Sequence, residues 1–436
     1  MSYSQKVFLS QNVPVESKYD VIVCGGGPSG FIAAISAARN GAKVALIERY
    51  SFLGGLATAG LVAPISEFNK NGQRIVDGIP WEFVEQLSKL DGADLSYPIG
   101  NVPYDPEVYK LVAQRMVMDA GVSLFLGCEF IQCSMENNKI THVICKGKTG
   151  IFALEGSIFI DCTGDAELAF CAKAPFQETP SAQECQPASL CFRLGNVDTA
   201  KLENICFREP STKYSNSRIR ELLNNLRETI PVPIFGGPWF HWAMHDGIVV
   251  VNMTRSPVYL NDALKASEIE CQLREDVFTL VDLLKKHVPE FKDAFVIQTG
   301  IHAGYRESRR ILGCHVLTGK ELLNAVTFED SIARSAHPVD IHRPNDSEQD
   351  VHFLSEAGYI PYRSIIMKSH PNLFVAGRCI SADRIALASI RVQAPAMAIG
   401  QAAGTAAALC IDSQTLSFDL NVKLLQKKLT MQNAKY

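Results

Sequence analysis

An α/β fold on a parallel sheet, carrying a second α+β portion, is what this 436-residue sequence predicts. Three observations carry the prediction. Near the N-terminus an apolar run meets a glycine-rich turn, a small-residue helix and a second apolar strand in close succession. Runs of the same buried kind recur at Ile158-Phe159-Ile160 and Leu373-Phe374-Val375, each followed by a turn that contains glycine. Between about 188 and 364 the pattern changes to aromatic strands and Pro-Gly turns.

The first unit starts at Val21-Ile22-Val23-Cys24, whose β-branched apolar residues suit a buried parallel strand. It ends in Gly25-Gly26-Gly27-Pro28-Ser29-Gly30. Gly25 makes the tight turn, Gly27 lets backbone approach a pyrophosphate, and Gly30 lets the next helix pack close to the sheet. Pro28 and Ser29 open that helix, where free N–H groups and about half a positive charge favour an anion. Small residues at Ala34 and Gly41 extend the pattern, and Asn40-Gly41 stops the helix. Val44-Ala45-Leu46-Ile47 is the second strand, closed by Glu48 and followed by Arg49. A carboxylate at Glu48 accepts from adenosine ribose hydroxyls and repels a 2′-phosphate, which disfavours NADP. A glycine triplet alone is weak, but strand, turn, helix, strand and acid in order within about thirty residues predict dinucleotide binding.

Gly54-Gly55-Leu56-Ala57-Thr58 follows at once, where an NAD domain would continue into its next helix and strand, and it lets backbone approach the cofactor a second time. Here the sequence resembles the two-domain flavoproteins of the glutathione reductase and succinate dehydrogenase type. The strand leading to Thr163-Gly164-Asp165 is similar to the Thr-Gly strand of that superfamily. The return at Gly377-Arg378 and the helix through Pro395, Ala396 and Met397 to Gly404 are similar to its last cofactor segment. Together with Gly304-Tyr305-Arg306 and Ile360-Pro361-Tyr362, these segments resemble the FAD-dependent oxidoreductase family, which is allied to the flavin region of heterodisulfide reductase. The resemblance covers nearly the whole chain. It implies FAD as cofactor and a discontinuous Rossmann-like FAD/NAD(P)-binding domain (1–65, 104–187 and 365–436) with an α+β substrate domain (66–103 and 188–364). It also implies that the last helix directs its N-terminus at the flavin pyrimidine ring, where partial positive charge meets the anion formed on reduction. Many relatives carry Asp where this chain has Arg378, whose role is open between phosphate binding, solvent exposure and pairing with Asp383.

A chain with 47% apolar residues buries one large core or two moderate ones. A net charge of −4 gives no electrostatic footprint for nucleic acid. Residues 1–18 have no apolar run of signal-peptide length, so a cytoplasmic location is expected. The 13 cysteines are scattered without Cys-x-x-Cys pairs and read as reduced, buried small residues. Cys128 and Cys133 suggest a redox pair but read as structural within a hairpin. No cluster-like cysteine run appears, so an iron–sulfur centre would come from another chain. The alanine-rich segment 394–411 reads as a buried helix rather than a membrane span.

Further along, Asp105-Pro106-Glu107 begins a helix whose buried face is expected at Val108, Leu111, Val112 and Met116, with Gly121 as the stop. Alternating strands at 122–126, 130–133 and 140–144 read as an inserted β-meander. Phe235-Gly236-Gly237-Pro238 reads as a turn, 248–251 as a buried strand, 267–286 as a helix and Thr318-Gly319-Lys320-Glu321 as a capping box. A second dinucleotide fingerprint is missing, so the flavin's electron acceptor is left unknown: a quinone, an electron-transfer protein or oxygen. Oligomeric state and covalent attachment of the flavin are not readable.

Flavin chemistry needs a substrate carbon placed, a proton moved and charge stabilised. Three clusters qualify. In the first, Arg306, Ser308 and Arg310 share one face if the run is a strand, with Arg309 on the other; either a substrate clamp or an inter-domain ion-pair network fits. In the second, Asp340 and His342 share a strand face, so Asp340 can orient His342 as a general base; metal binding by His337, His342 and His352 matches no known spacing. The third sets Tyr362-Arg363 and Arg384 beside Arg391, the cation chosen for the substrate or flavin side. The expected catalytic residues are therefore Arg306, His342 and Arg391. The expected function is hydride transfer between a small polar or anionic metabolite and FAD. A non-redox binder of flavoprotein fold and an FAD-dependent nucleic-acid-modifying enzyme are the alternatives.

Overall fold

The computed structural model describes residues 12–97, 100–178, 181, 184–202, 217–258, 262–343 and 348–436. Five parallel strands run in the order Ser123–Leu126, Val44–Glu48, Val15–Cys24, Gly150–Asp161 and Leu373–Val375. Val44–Glu48, Leu373–Val375 and residues 21–24 are buried throughout, which accounts for their continuous apolar composition. The helix Pro28–Arg39 makes the first crossover, and Gly41, at φ +95°, turns the chain back into the sheet.

Gly150–Asp161 is long enough to serve two neighbours. Its N-terminal half pairs antiparallel with Lys139–Gly147, which pairs in turn with Glu129–Glu136, while its last three residues pair with Leu373–Val375. The inserted meander is thus Glu129–Glu136, Lys139–Gly147 and the start of Gly150–Asp161. Ser123–Leu126, expected as part of it, is instead a parallel strand bonded to Val44–Glu48. Alternation alone could not separate the two, because an edge strand of a parallel sheet is also half exposed.

Asp105 caps the helix Pro106–Asp119 through its side chain, which accepts from the N–H groups of Glu107 and Val108. The buried face runs through Tyr109, Val112, Ala113, Met116 and Val117, and Leu111 is exposed. The stripe is rotated from the expected one because Tyr109 fills the core against Phe31 and Phe83. The capping box at Thr318 and Glu321 forms with both reciprocal hydrogen bonds.

The helix Gln393–Ser413 is apolar and long enough to cross a membrane, but 94% of its most apolar window is buried inside the protein. It packs on Pro28–Arg39 backbone to backbone. A Cβ on Gly400 would lie 2.2 Å from the Ser29 carbonyl oxygen, and one on Gly404 2.2 Å from that of Ala33.

A second sheet, antiparallel, has the order Phe235–Trp242, Val249–Thr254, Phe192–Gly195, Phe295–Thr299. The helix Ala263–His287 covers it with Ile269, Leu273, Val277, Leu280 and Leu284. The Pro-Gly turn expected at 235–238 lies inside the first of these strands, as an irregularity in its register with Val249–Thr254. Gly236 explains it: a Cβ there would fall 1.9 Å from Nε of Arg255. The glycine makes room for a guanidinium rather than for a chain reversal.

Two large apolar cores result. One joins the parallel sheet to residues such as Ile65, Phe83, Val102, Ile332 and Ile360, and the other lies between the antiparallel sheet and its helix. The boundary between the cores does not coincide with the expected division at 66–103 and 188–364, because 66–103 and 311–364 contribute to the first.

Gly400→Val forces the two helices apart at their closest approach. We expect it to lower stability by about 1–3 kcal/mol, read as a fall in Tm of the purified protein.

Candidate active site

The C-terminal ends of the parallel strands open on one cavity of about 560 Å³ that runs from the glycine turn to the antiparallel sheet. Its outer half is built by the turn. Gly25, at φ +97°, sits where a Cβ would lie 2.5 Å from the Cys162 carbonyl oxygen, and a Cβ on Gly30 would lie 1.8 Å from the Gly25 carbonyl oxygen. These two glycines are demanded by packing. Gly27 is different: a Cβ there would meet nothing closer than Gly55 Cα at 3.9 Å, and the residue faces the cavity. The helix beginning at Pro28 has no side-chain cap on its first turn. An open cradle over uncapped N–H groups is what a pyrophosphate requires.

Glu48 Oε2 accepts from Gly26 N–H at 2.6 Å, and Oε1 accepts from Tyr50 N–H at 2.9 Å. Burial pushes its pKa up, opposed by these two bonds. A carboxylate has about four lone-pair sites, so capacity for ribose hydroxyls is left, and Glu48 and Arg49 both line the cavity. The third segment depends on a residue that sequence reading passes over. Asp161, fully buried at the strand end, accepts from Thr163 N–H at 3.0 Å, Thr163 Oγ1–H at 2.7 Å and Ala169 N–H at 2.9 Å. Three bonds to one carboxylate fix the Thr163-Gly164-Asp165 loop against the cavity.

Arg378 neither pairs with Asp383 nor extends into solvent, two of the three roles left open for it, and it lines the cavity. Its Nη2 pairs with Asp165 Oδ1 at 2.8 Å and its Nη1 donates to Ser308 Oγ at 2.7 Å. Asp383 is occupied in capping the helix Arg384–Ile390. Arg378 holds Asp165 below the ordinary carboxylate range although burial opposes this. The pair joins the Thr-Gly loop to the return strand.

The run 304–310 is not a strand, so the shared face expected for Arg306, Ser308 and Arg310 does not exist. Ser308 and Arg309 reach the Thr-Gly loop, at Gly164 O and Asp165 O, and Arg310 lies 3.8 Å from Glu307. Arg306 alone of the arginines in this run lines the cavity, donating to Pro187 O and to Ser189 Oγ at 2.8 Å. Burial and the neighbouring Arg391 and Arg255 push its pKa down to about 9, still charged at neutral pH. In the third cluster Tyr362 bonds Ser417 O, Arg363 pairs with Asp330 and Arg384 with Glu307, so only Arg391 reaches the cavity. Arg391 Nη2 donates to Asp340 O at 2.9 Å, and its buried Nε has no hydrogen-bond partner among the described residues.

His342 lines the cavity from the strand Val339–His342, but as a general base it is corrected by its hydrogen bonds. Nδ1 faces Arg255 Nη2 at 3.0 Å, a group that only donates, so the ring proton is on Nε2, which donates to Asp340 Oδ2 at 2.9 Å. Both nitrogens are engaged. Burial, with the Arg306 guanidinium beside it, pushes His342 down to about 3, while His342 and Arg391 hold Asp340 below the usual carboxylate range against burial.

The cavity therefore gathers Gly25, Gly27, Pro28, Ser29, Glu48, Arg49, Gly55, Ala57, Thr163, Gly164, Asp165, Gly377, Arg378 and Ala396 with Arg306, His342 and Arg391. Gly30, Gly54, Thr58 and Met397 stand behind the wall: Thr58 Oγ1, for example, donates to Leu53 O, and Met397 is core. Sequence reading missed most of the inner wall, where Trp239, His241 and Asn252 come from the antiparallel sheet and Ser66 joins them; His337, weighed in the sequence only as a metal ligand, lines the same wall. Alternation in 235–242 was the available signal, hidden by Gly236-Gly237-Pro238. Cys128 is at the outer end of the cavity, whereas the Cys133 N–H points at Cys171 Sγ, 3.2 Å away.

The uncapped helix start, the open side of Gly27 and the Glu48 carboxylate fit a dinucleotide, and the Gly377 to Ala396 return fits its second half. A family model described as FAD dependent oxidoreductase matches residues 20–429. Thiamine thiazole synthase of Methanococcus maripaludis is 29% identical over 154 residues, 33% of this chain and 55% of that protein. Dihydrolipoyl dehydrogenase of Trypanosoma brucei brucei is 52% identical over 42 residues, 10% of this chain and 9% of that enzyme. The matches thus span between 9% and 55% of these curated relatives' lengths. Among solved structures, a geranylgeranyl bacteriochlorophyll reductase-like protein from Thermoplasma acidophilum has a TM-score of 0.48 at 15% identity, covering 96% of this chain and 84% of that one. With the family model spanning the glycine turn, the Thr-Gly loop and the return helix alike, the chain belongs to the FAD-dependent oxidoreductase family.

Proposed function

We propose that this enzyme transfers hydride between FAD and a small anionic metabolite bound at the inner end of the cavity. The observation that carries the reading is a surplus of positive charge there. Arg306 and Arg391 both line the wall, Arg255 stands directly behind it on His342, and the facing carboxylate is Asp340, already bonded to His342. Like-charge repulsion among the guanidiniums is what depresses Arg306 beyond its burial, and an anion relieves it.

FAD, when bound, supplies the two-electron centre that accepts or returns hydride. The protein supplies position. Arg306 is held by Pro187 O and Ser189 Oγ, so its planar donors are fixed before a carboxylate or carbonyl arrives. Arg391 is fixed by Asp340 O and Gln186 Oε1 and keeps Nε unused. Trp239, in edge contact with His342, closes the apolar side and excludes water. The helix Gln393–Ser413 begins beside Arg391 without a side-chain cap, adding its own partial positive charge.

Anaerobic addition of a panel of carboxylate and phosphate metabolites should identify one that bleaches the flavin absorbance. Arg306→Ala and Arg391→Ala should each weaken its binding by about tenfold to a hundredfold, the worth of a charge-assisted hydrogen bond. Reduction by neutral metabolites only, or unchanged binding in both variants, would contradict the reading. Because His342 is locked neutral well below pH 5, His342→Gln should leave the midpoint of the pH profile between pH 6 and 9 where it stands in the parent enzyme.

A further inference from the structure

The locked state of His342 leaves the inner cavity without the base first expected for it, and a second histidine stands in the same wall. His337 lines the cavity beside Ser66. Its Nδ1 is hydrogen-bonded to Ser66 Oγ at 3.1 Å, with the Glu67 carboxylate next beyond it at 3.9 Å. Among the described residues its Nε2 has no protein hydrogen bond. The backbone at His337 is held by Ser389 Oγ, which donates to the His337 carbonyl at 2.6 Å and is itself bonded to Ser335 Oγ at 3.0 Å. An imidazole with one nitrogen toward a carboxylate and the other toward a ligand space is the arrangement by which a carboxylate orients a general base.

We propose that His337 and Glu67 form the proton-transfer pair of this site, with His337 Nε2 as the group that exchanges a proton with the substrate and Glu67 as the residue that positions it. The proposal rests on the hydride reading above and extends it to a substrate class: an anion bearing a hydroxyl or amine on the carbon that is oxidised. The proton on that oxygen or nitrogen goes to His337 Nε2 as the C–H electron pair leaves in the hydride step. The proton already on Nδ1 passes to Glu67 once the carboxylate closes the 3.9 Å that separates them. His337 ends neutral as its other tautomer, Glu67 ends protonated, and the substrate gains a C=O or C=N bond. In the opposite direction each transfer is reversed.

The charged surroundings agree with those roles. Burial pushes Glu67 up to about 7, opposed by Lys70, so its charge changes at neutral pH. Burial pushes His337 down to about 4, with Asp340 raising and Arg391 lowering it, so the ring rests neutral and returns a proton readily. An ionised Glu67 favours the Nδ1–H tautomer, which leaves the lone pair on Nε2, the nitrogen without a hydrogen bond among the described residues. A protonated Glu67 removes that preference. The sign follows: oxidation of the substrate should rise with pH through about 7.

The test uses the FAD-loaded full chain. In protein labelled with 13C at the glutamate carboxyls, one resonance should titrate near pH 7, disappear in Glu67→Gln and move in His337→Gln. Glu167, pushed up to about 7 by burial and Asp165, supplies a second resonance in that range that neither change should remove. With the metabolite that bleaches the parent enzyme, the anaerobic bleaching rate should rise with pH to a plateau. Glu67→Gln should flatten that rise, and His337→Gln should slow bleaching by about 10²–10⁴-fold, both with an unchanged dissociation constant. If no carboxyl at position 67 titrates above pH 6, or if both variants keep the parent pH profile, the pair is overturned. If no metabolite bleaches the parent flavin, the hydride reading fails, and the carboxyl titration alone decides whether Glu67 and His337 are coupled.

Discussion

The whole arrangement depends on backbone touching backbone. Gly25 lets the first turn fold onto the carbonyl of Cys162, Gly30 lets the helix start close onto the carbonyl of Gly25, and Gly400 and Gly404 let the last long helix lie on the carbonyls of Ser29 and Ala33. Segments more than three hundred residues apart in sequence thereby meet at one helix, Pro28–Arg39. A single methyl at any of these contacts would separate elements that each carry part of the cofactor site. Close-packed interiors transmit such strain instead of absorbing it, so the glycines tie the fold and the cofactor site together.

From that contact the electrostatics follow. The parallel strands end together, so their loops deliver Glu48, the Thr163 loop and the Gly377 return to one rim, with Arg378 and Asp165 as the clasp between the last two. The helix Arg384–Ile390 then ends in Arg391 opposite the antiparallel sheet, which contributes Trp239 and His241. Cations accumulate where the two cores meet because Arg255, Arg306 and Arg391 arrive from separate parts of the chain. Asp340 neutralises part of that charge through His342. The site is therefore divided: hydrogen-bonded backbone toward the dinucleotide, guanidinium toward the inner end.

The dinucleotide half was legible in the sequence because its chemistry lies in short, ordered motifs. Gly25 to Gly30, Glu48, Thr163-Gly164 and Gly377 all reach the cavity rim or the packing behind it, and the buried strands show as unbroken apolar runs. The inner half was not legible, for physical reasons that differ from residue to residue. Gly236-Gly237-Pro238 has the composition of a turn, yet Gly236 is there to clear the Arg255 side chain. Asp161 reads as part of a strand end, and only the tertiary fold shows it holding a loop. His342 stands out for its spacing from Asp340, which is correct, but the guanidinium on its other nitrogen comes from residue 255. His337, in the same short stretch, gains its meaning from Ser66 and Glu67, some 270 positions away. Partners of that kind leave no local pattern.

We infer that the glycine turn divides its labour: Gly25 and Gly30 serve the fold, and Gly27 serves FAD. Equilibrium titration of FAD into apoprotein, for the parent chain and Gly27→Val, tests it most directly. One FAD should bind per parent chain. Gly27→Val should keep the apoprotein melting temperature, since its Cβ meets open space, yet bind FAD at least about tenfold more weakly, roughly 1.4 kcal/mol. An unchanged affinity in Gly27→Val, with FAD still bound one to one, would contradict it.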